Sequence, residues 1–271
     1  MATNFAKELM VPPGKKVRLG KYDPDETLGW QKGRKMKVSL EKALTKLGSL
    51  QYLLSANKKR ALLVVLQALD AGGKDGTIRH VMSGVNPQGC RVTSFKKPSE
   101  QELQHDFLWR VHGAIPPSGD IGIFNRSHYE DVLIVRVHNL VPKHVWSRRY
   151  DQINQFEAML HENKVKILKF FLHISKDEQK KRFLERIHDP KRAWKISESD
   201  FAERAYWDDY TAAYEDALTR CNTGEALWYI IPSNKKWFRN LAVSHIIAEA
   251  LEQMHMKFPA PPIDLKKLKW Q

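Results

Sequence analysis

The chain is 271 residues long, 42% of them hydrophobic, and its 45 Lys and Arg outnumber 31 Asp and Glu for a net charge of +14. Two cysteines exclude a disulfide framework and a cysteine-based zinc site, and no apolar run is long enough to span a bilayer. The positive excess favours a polyanionic partner: nucleic acid, an anionic membrane surface or a phosphate-rich small substrate.

Residues 1–36 are polar, basic and broken by Pro12, Pro13, Gly14 and Pro24, and read as an extended arm. Their start lacks the charged, apolar and small-residue sections of a secretory signal, so a soluble cytoplasmic protein is expected. Over residues 38–56, Leu40, Ala43, Leu44, Leu47, Leu50, Leu53 and Leu54 recur at helical spacing. Residues 61–69 are nearly all apolar with two consecutive valines, as a strand buried on both faces of a parallel sheet requires. Further strands are expected over 91–95, 121–124, 165–174 and 227–231.

Helical patterns fill the intervals. Ser99 with Glu102, and Ser175 with Glu178, have capping-box spacing. Trp146, Tyr150, Ile153, Phe156 and Leu160 stripe one helix face, and residues 236–254 read as a last long helix before a Pro-rich basic tail at 256–271. Strands alternating with helices predict an α/β protein with a parallel sheet covered on both faces, one domain over 37–255.

The first chemically informative segment follows the best strand and precedes a helix. In Asp70-Ala71-Gly72-Gly73-Lys74-Asp75-Gly76-Thr77, glycines let backbone N–H groups turn inward around an anion, and the helix N-terminus adds favourable partial charge. Lys74 can neutralise phosphate oxygens and Thr77 can offer a hydroxyl to phosphate or magnesium. The usual phosphate-loop pattern would place glycine at Ala68 and Ser or Thr at Asp75. Asp70 stands at the carboxyl end of the strand, where α/β proteins bind ligands.

A second polar cluster, Asn125-Arg126-Ser127-His128-Tyr129-Glu130-Asp131, follows the strand at 121–124. Arg126 can clamp a nucleotide phosphate, and Glu130 or Asp131 can hold magnesium. Ser127 with Glu130 also has capping-box spacing, so Glu130 has a second, purely structural reading. Between 182 and 206 the chain is dense in cations, among them Arg182, Arg186, Lys191, Arg192, Lys195 and Arg204, with Asp189-Pro190 interrupting the helix. A basic helix–loop–helix of this kind suits a lid over phosphates, because phosphoryl transfer is mostly positioning and charge stabilisation. Trp194, Tyr206 and Trp207 read as packing residues.

Three motifs together, Asp70-Ala71-Gly72-Gly73-Lys74-Asp75-Gly76, Asn125 to Asp131, and Pro190-Lys191-Arg192-Ala193-Trp194-Lys195, resemble the polyphosphate kinase 2 family over residues 37–251. Within it the chain looks most like the class III members, which phosphorylate both AMP and ADP. The resemblance implies a thymidylate-kinase-like P-loop fold with a helical lid, a three-layer sandwich around a parallel sheet. It implies reversible phosphoryl transfer between inorganic polyphosphate and adenine nucleotides with magnesium, or manganese in its place, by a dimer or tetramer that needs neither nucleic acid nor membrane. The family's loop aspartate, loop lysine and second-motif arginine map to Asp70, Lys74 and Arg126, and its lid cations to Arg186, Lys191, Arg192 and Lys195. Other branches carry aspartate where Asn125 stands, and Glu130 or Asp131 would then supply the missing charge to the metal beside Asp70.

On that reading polyphosphate lies along Gly72 to Thr77 and under the lid, and the nucleotide sits opposite, near Asn125, on Arg126 and Arg136. Two other readings stay open from the residues alone. One is a nucleoside monophosphate kinase that takes ATP as donor; the other is a nucleic-acid-binding module, for which no helix-turn-helix, zinc-finger or RNA-binding signature is present.

Overall fold

The computed structural model describes residues 3–263, so the end of the basic tail, residues 264–271, lies outside the described residues. Five strands, β1 (Ala61–Gln67), β2 (Cys90–Ser94), β3 (Ile121–Asn125), β4 (Val165–His173) and β5 (Ala226–Pro232), form one parallel sheet in the order β2-β3-β1-β4-β5. The helices are α1 (Phe5–Leu9), α2 (Arg34–Asn57), α3 (Lys74–Val81), α4 (Glu100–Leu103), α5 (Trp109–His112), α6 (Ile134–Val137), α7 (Lys143–Glu162), α8 (Lys176–Ile187), α9 (Glu198–Glu203), α10 (Trp207–Arg220) and α11 (Lys236–Glu252).

Every residue of β1 is buried, as its continuous apolar run requires. Alternate side chains feed opposite layers. Leu62, Val64 and Leu66 join Leu47, Leu54, Leu241 and Ile246 under α2 and α11. Leu63 and Val65 join Tyr150, Ile153, Phe156 and Leu218 under α7 and α10. The predicted stripe on α7 is the buried one, apart from the half-buried Trp146.

After β1 the chain moves out to β2, returns to β3 beside β1, and then crosses to β4 on β1's other side. The carboxyl ends of β1 and β3 therefore flank the switch in strand order, the place where an open α/β sheet leaves a crevice.

The N-terminal 36 residues are an arm, but a packed one. Phe5, Leu9, Val11, Val17 and Leu19 are buried in the two layers. Met10 bridges Tyr229 and the Val11 N–H donates to the Trp228 carbonyl, which closes the exposed edge of β5 against pairing with another chain. Polar spacing hid this, because isolated apolar residues between prolines carry no period. Among the described residues no helix is long and apolar enough to cross a membrane.

Capping follows the sequence in part. Ser99 and Glu102 form a complete box, and the Ser197 N–H donates to the Asp200 carboxylate at 3.0 Å. Ser175 Oγ accepts from the Glu178 N–H, whereas the Glu178 carboxylate takes Arg182 Nε at 2.7 Å instead of returning to the cap.

Beneath the sheet lies a fully buried ion pair. Lys169 Nζ donates to Glu157 Oε2 (2.6 Å), Tyr129 Oη (2.8 Å) and the Cys221 carbonyl (2.6 Å), and it sits over the rings of Tyr129 and Trp228. Burial alone would raise the Glu157 carboxyl, but the Lys169 ammonium and His128 outweigh it and hold it below the ordinary range. A carboxyl depressed in the fold stabilises the protein above its unfolded pKa, and that contribution is lost as pH falls through the folded value. Lys169→Met strands a buried carboxylate and is expected to cost about 3–5 kcal/mol in chemical denaturation. Adding Glu157→Gln should recover part of that loss; a Lys169→Met variant as stable as the parent would contradict the account.

Candidate active site

The loop between β1 and α3 closes around glycines that nothing larger can replace. Gly73 has φ +104°, and a Cβ there would fall 1.9 Å from Arg239 Nη1. At Gly72 a Cβ would fall 2.4 Å from the Ala68 Cβ. Ala71 also adopts a left-handed conformation (φ 58°), so the turn carries backbone strain at a non-glycine position.

Strain recurs at the end of β3. Arg126 has φ 61°, fixed by its N–H donating to the Leu66 carbonyl at 3.1 Å. That turn aims the guanidinium at the loop, where Nη2 donates to Asp70 Oδ1 at 3.0 Å. Burial works against the Arg126 charge, and the carboxylates of Glu130 and Asp70 outweigh it, raising its pKa. Lys74 Nζ donates to the Ala68 carbonyl at 2.8 Å, folded back over its own loop. Burial lowers the Lys74 pKa and Arg126 adds to the effect, against the opposing pull of Asp70, Glu130 and Asp75. The loop thus holds a lysine whose charge its neighbours do not fully balance.

A cavity of about 1170 Å³ opens over these groups. It takes in Asp70 to Gly76, Ser94 to Lys96, Asn125, Arg126 and the lid residues Arg186, Lys191, Arg192 and Lys195, so the three motifs meet in one space. Eleven Lys and Arg line it against four Asp and Glu. Asp75 links two of the motifs to the loop: Asn125 Nδ2 donates to Oδ1 at 2.9 Å, and Lys195 Nζ lies 3.5 Å from Oδ2. The lid turn is shaped locally by Asp189, which pairs with Arg192 and accepts from the Lys191 N–H at 3.0 Å.

Four expected site residues are placed otherwise. Thr77 is buried and its hydroxyl donates to the Gly73 carbonyl at 3.0 Å, because it stands one turn into α3, where a back-bond to residue i−4 is the nearest acceptor. Arg136 does not line the cavity; its Nη1 is held by Asp216 (2.6 Å) and Tyr150 Oη (3.1 Å), with the guanidinium over Trp146. Asp131 turns away to Arg149, 2.8 Å from its Nη1. Glu130 is recessed behind the cavity wall, and burial raises its carboxyl despite the pull of Arg126 and Lys74. Its capping reading also fails: Ser127 Oγ accepts from the Tyr129 N–H, and the Glu130 carboxylate makes no return bond to Ser127 among the described residues.

The structure adds groups that sequence reasoning did not assign. Arg182, read as a lid cation, is a buried brace. It donates to the Ala71 (2.9 Å), Gly72 (3.2 Å), Ser233 and Asn234 carbonyls, tying α8 to the loop and to the end of β5. Arg239 and Asn240 of α11 reach the cavity from below. A signal for Arg239 did exist, since it precedes Ala242, Val243 and Ile246 by three, four and seven residues and so falls on a buried helical face. Trp194, expected to pack, is 76% exposed at the cavity rim.

Among the described residues no three His, Cys, Asp or Glu cluster as a metal cage. A magnesium ion held through phosphates and water needs fewer protein ligands. The donor set fits such an ion: Asp70 lines the cavity with Oδ1 on Arg126 and with no hydrogen bond to Oδ2 among the described residues.

The family described as "Polyphosphate kinase 2 (PPK2)" matches residues 31–259. The chain is 50% identical over 263 residues to the AMP/ADP-polyphosphate phosphotransferase of Meiothermus ruber, covering 97% of this chain and 98% of the relative. It is 47% identical over 265 residues to the ADP-polyphosphate phosphotransferase of Rhodopseudomonas palustris, covering 93% and 92%. The crystal structure of polyphosphate kinase 2 from Arthrobacter aurescens superposes with a TM-score of 0.92 at 42% identity, over 98% of this chain and 95% of that one.

Proposed function

The chain belongs to the polyphosphate kinase 2 family, and on that premise we propose that it transfers phosphoryl groups from inorganic polyphosphate to AMP and ADP, forming ADP and ATP, in either direction. The observation that carries the donor is the cavity's eleven cations against four carboxylates. A triphosphate donor leaves much of that charge uncompensated, whereas a long polyanion spans it from Lys74 to the lid. That weighs against ATP as donor. Nucleic acid is disfavoured because eleven cations converge on one cavity over the phosphate loop.

The donor's terminal phosphoryl group lies over Lys74, within the N–H groups of Gly72 to Gly76, and the chain continues beneath Arg186, Lys191, Arg192 and Lys195. The acceptor nucleotide enters from the β3 side, its phosphate clamped by Arg126, with Asn125 and Ser94 to Lys96 alongside. An oxygen of that phosphate attacks the terminal phosphorus while the bridging P–O bond of polyphosphate breaks, so the donor leaves one unit shorter. Little general-base power is required, because the acceptor phosphate is largely ionised near neutral pH. Asp70 orients Arg126 and offers its second oxygen to magnesium, which when bound neutralises charge shared by donor and acceptor. Glu130, outside the cavity lining, contributes negative charge that favours the Arg126 and Lys74 cations. A homo-oligomer is part of this proposal.

The test is formation of ADP and ATP from AMP, polyphosphate and magnesium with no ATP added. Product overturns the ATP-donor alternative. No product, together with phosphorylation of AMP by ATP, would sink polyphosphate as donor.

A further inference from the structure

Arg239 stands apart from the other cavity cations. Its side chain is buried, with 3% of the residue exposed, yet it lines the cavity. Its guanidinium lies against the phosphate loop, so that Cβ atoms at Gly73 and Gly76 would come 1.9 and 3.3 Å from Nη1 and Nη2. The only acceptor it has among the described residues is the neutral side chain of Asn240, whose Oδ1 takes Nε (3.1 Å) and Nη2 (2.9 Å). Nη1 donates to nothing there.

Arg182 shows what a structural arginine looks like in the same place. It has a carboxylate partner in Glu178 and bonds to four carbonyls of the loop and the β5 end. Among the described residues Arg239 has no carboxylate partner, and its side chain makes no hydrogen bond to the loop it touches. Burial, with Arg182 adding to it, pushes its pKa down to about 9, the mark of a charge its surroundings leave uncompensated. A buried unpaired charge is retained at a cost to stability, and an anion delivered to the cavity removes that cost.

We infer that Arg239, steadied by Asn240, is a buried seat for a phosphate group of the donor chain. The inference rests on polyphosphate being the donor and adds a specificity-determining residue outside the three motifs.

The test uses tripolyphosphate without nucleotide, read by calorimetric titration and by the shift in melting temperature. The wild type is expected to bind and to gain thermal stability. Arg239→Met, similar in volume and uncharged, should melt no lower than the wild type without ligand, bind tripolyphosphate at least tenfold more weakly, and lose the thermal gain. In turnover its KM for polyphosphate should rise about tenfold while its KM for ADP moves less than twofold. Arg239→Lys keeps the charge but not the fork, and should fold as the wild type with several-fold weaker tripolyphosphate binding. Wild-type affinity in both variants overturns the seat, and so does a Met variant that no longer folds. Binding needs no turnover. A wild type that binds tripolyphosphate through Arg239 but does not use polyphosphate would therefore sink the donor assignment and leave the seat standing.

Discussion

Lys74→Ala is expected to lower ADP and ATP formation from polyphosphate by about 10³-fold or more, with the melting temperature unchanged, because charge stabilisation at the transferred phosphoryl is the largest part of this chemistry. The two halves of that expectation have separate causes. Among the described residues Lys74 makes one hydrogen bond, to the Ala68 carbonyl, and burial and Arg126 both act against its charge. Removing it takes away a disfavoured cation and a single neutral acceptor contact, so stability should shift by less than about 1 kcal/mol. With phosphate bound the balance inverts, since the ammonium then faces new negative charge in a crevice with little water. Lys74→Arg should not rescue turnover, because the wider planar fork does not fit beneath a loop already filled by Arg239 and Arg182. The measurement is steady-state turnover beside a thermal melt. A variant that folds and turns over within tenfold of the wild type would remove Lys74 from the mechanism.

Much of the fold could be read in advance because its signals are local. The unbroken apolar run of β1 admits burial on both faces and little else, and the stripe from Tyr150 to Leu160 specifies which side of α7 meets the sheet. The loop is equally local: strand, glycines, lysine and helix occur in sequence, and the cavity forms where they predict it. The motifs at Asn125–Arg126 and Lys191–Lys195 converge on it because β3 lies beside β1 and α8 brings the lid turn back over the loop.

The departures share a cause, which is that a polar side chain's partner is not written near it. Arg136 was drawn to Asp216, 80 residues on, and Asp131 to Arg149, 18 residues on; neither pairing leaves a mark in the motif itself. Thr77 was lost to the opposite effect, a strictly local acceptor one helical turn back. Arg182 and Arg239 are the most instructive. Both are buried arginines against the same loop, and only the presence or absence of carbonyl and carboxylate partners separates a brace from a candidate ligand-binding group.

Asp70→Asn is the second large expected loss, about 10³-fold in kcat, with binding of polyphosphate kept or improved. The substitution is close to isosteric, and its amide oxygen can still accept from Arg126 Nη2, the 3.0 Å contact that links the loop to the end of β3. The geometry of the crevice therefore survives, and what is lost is one negative charge at the carboxyl end of β1. That charge has two uses in the proposed mechanism: it fixes Arg126 against the acceptor phosphate, and its second oxygen is the cavity-lining carboxylate available to magnesium. An amide serves the first weakly and the second hardly at all. Removing a negative charge from a cavity that collects a polyanion also makes the resting attraction stronger, so affinity for tripolyphosphate should not fall. The diagnostic result is thus a split: turnover collapses, tripolyphosphate binding holds, and the magnesium concentration needed for the residual rate rises. Asp70→Ala should lose turnover to a similar degree but also release Arg126, raising the KM for the nucleotide. Near-normal turnover in Asp70→Asn would show that orientation alone is what the position supplies, and the metal would then have to be held by substrate oxygens.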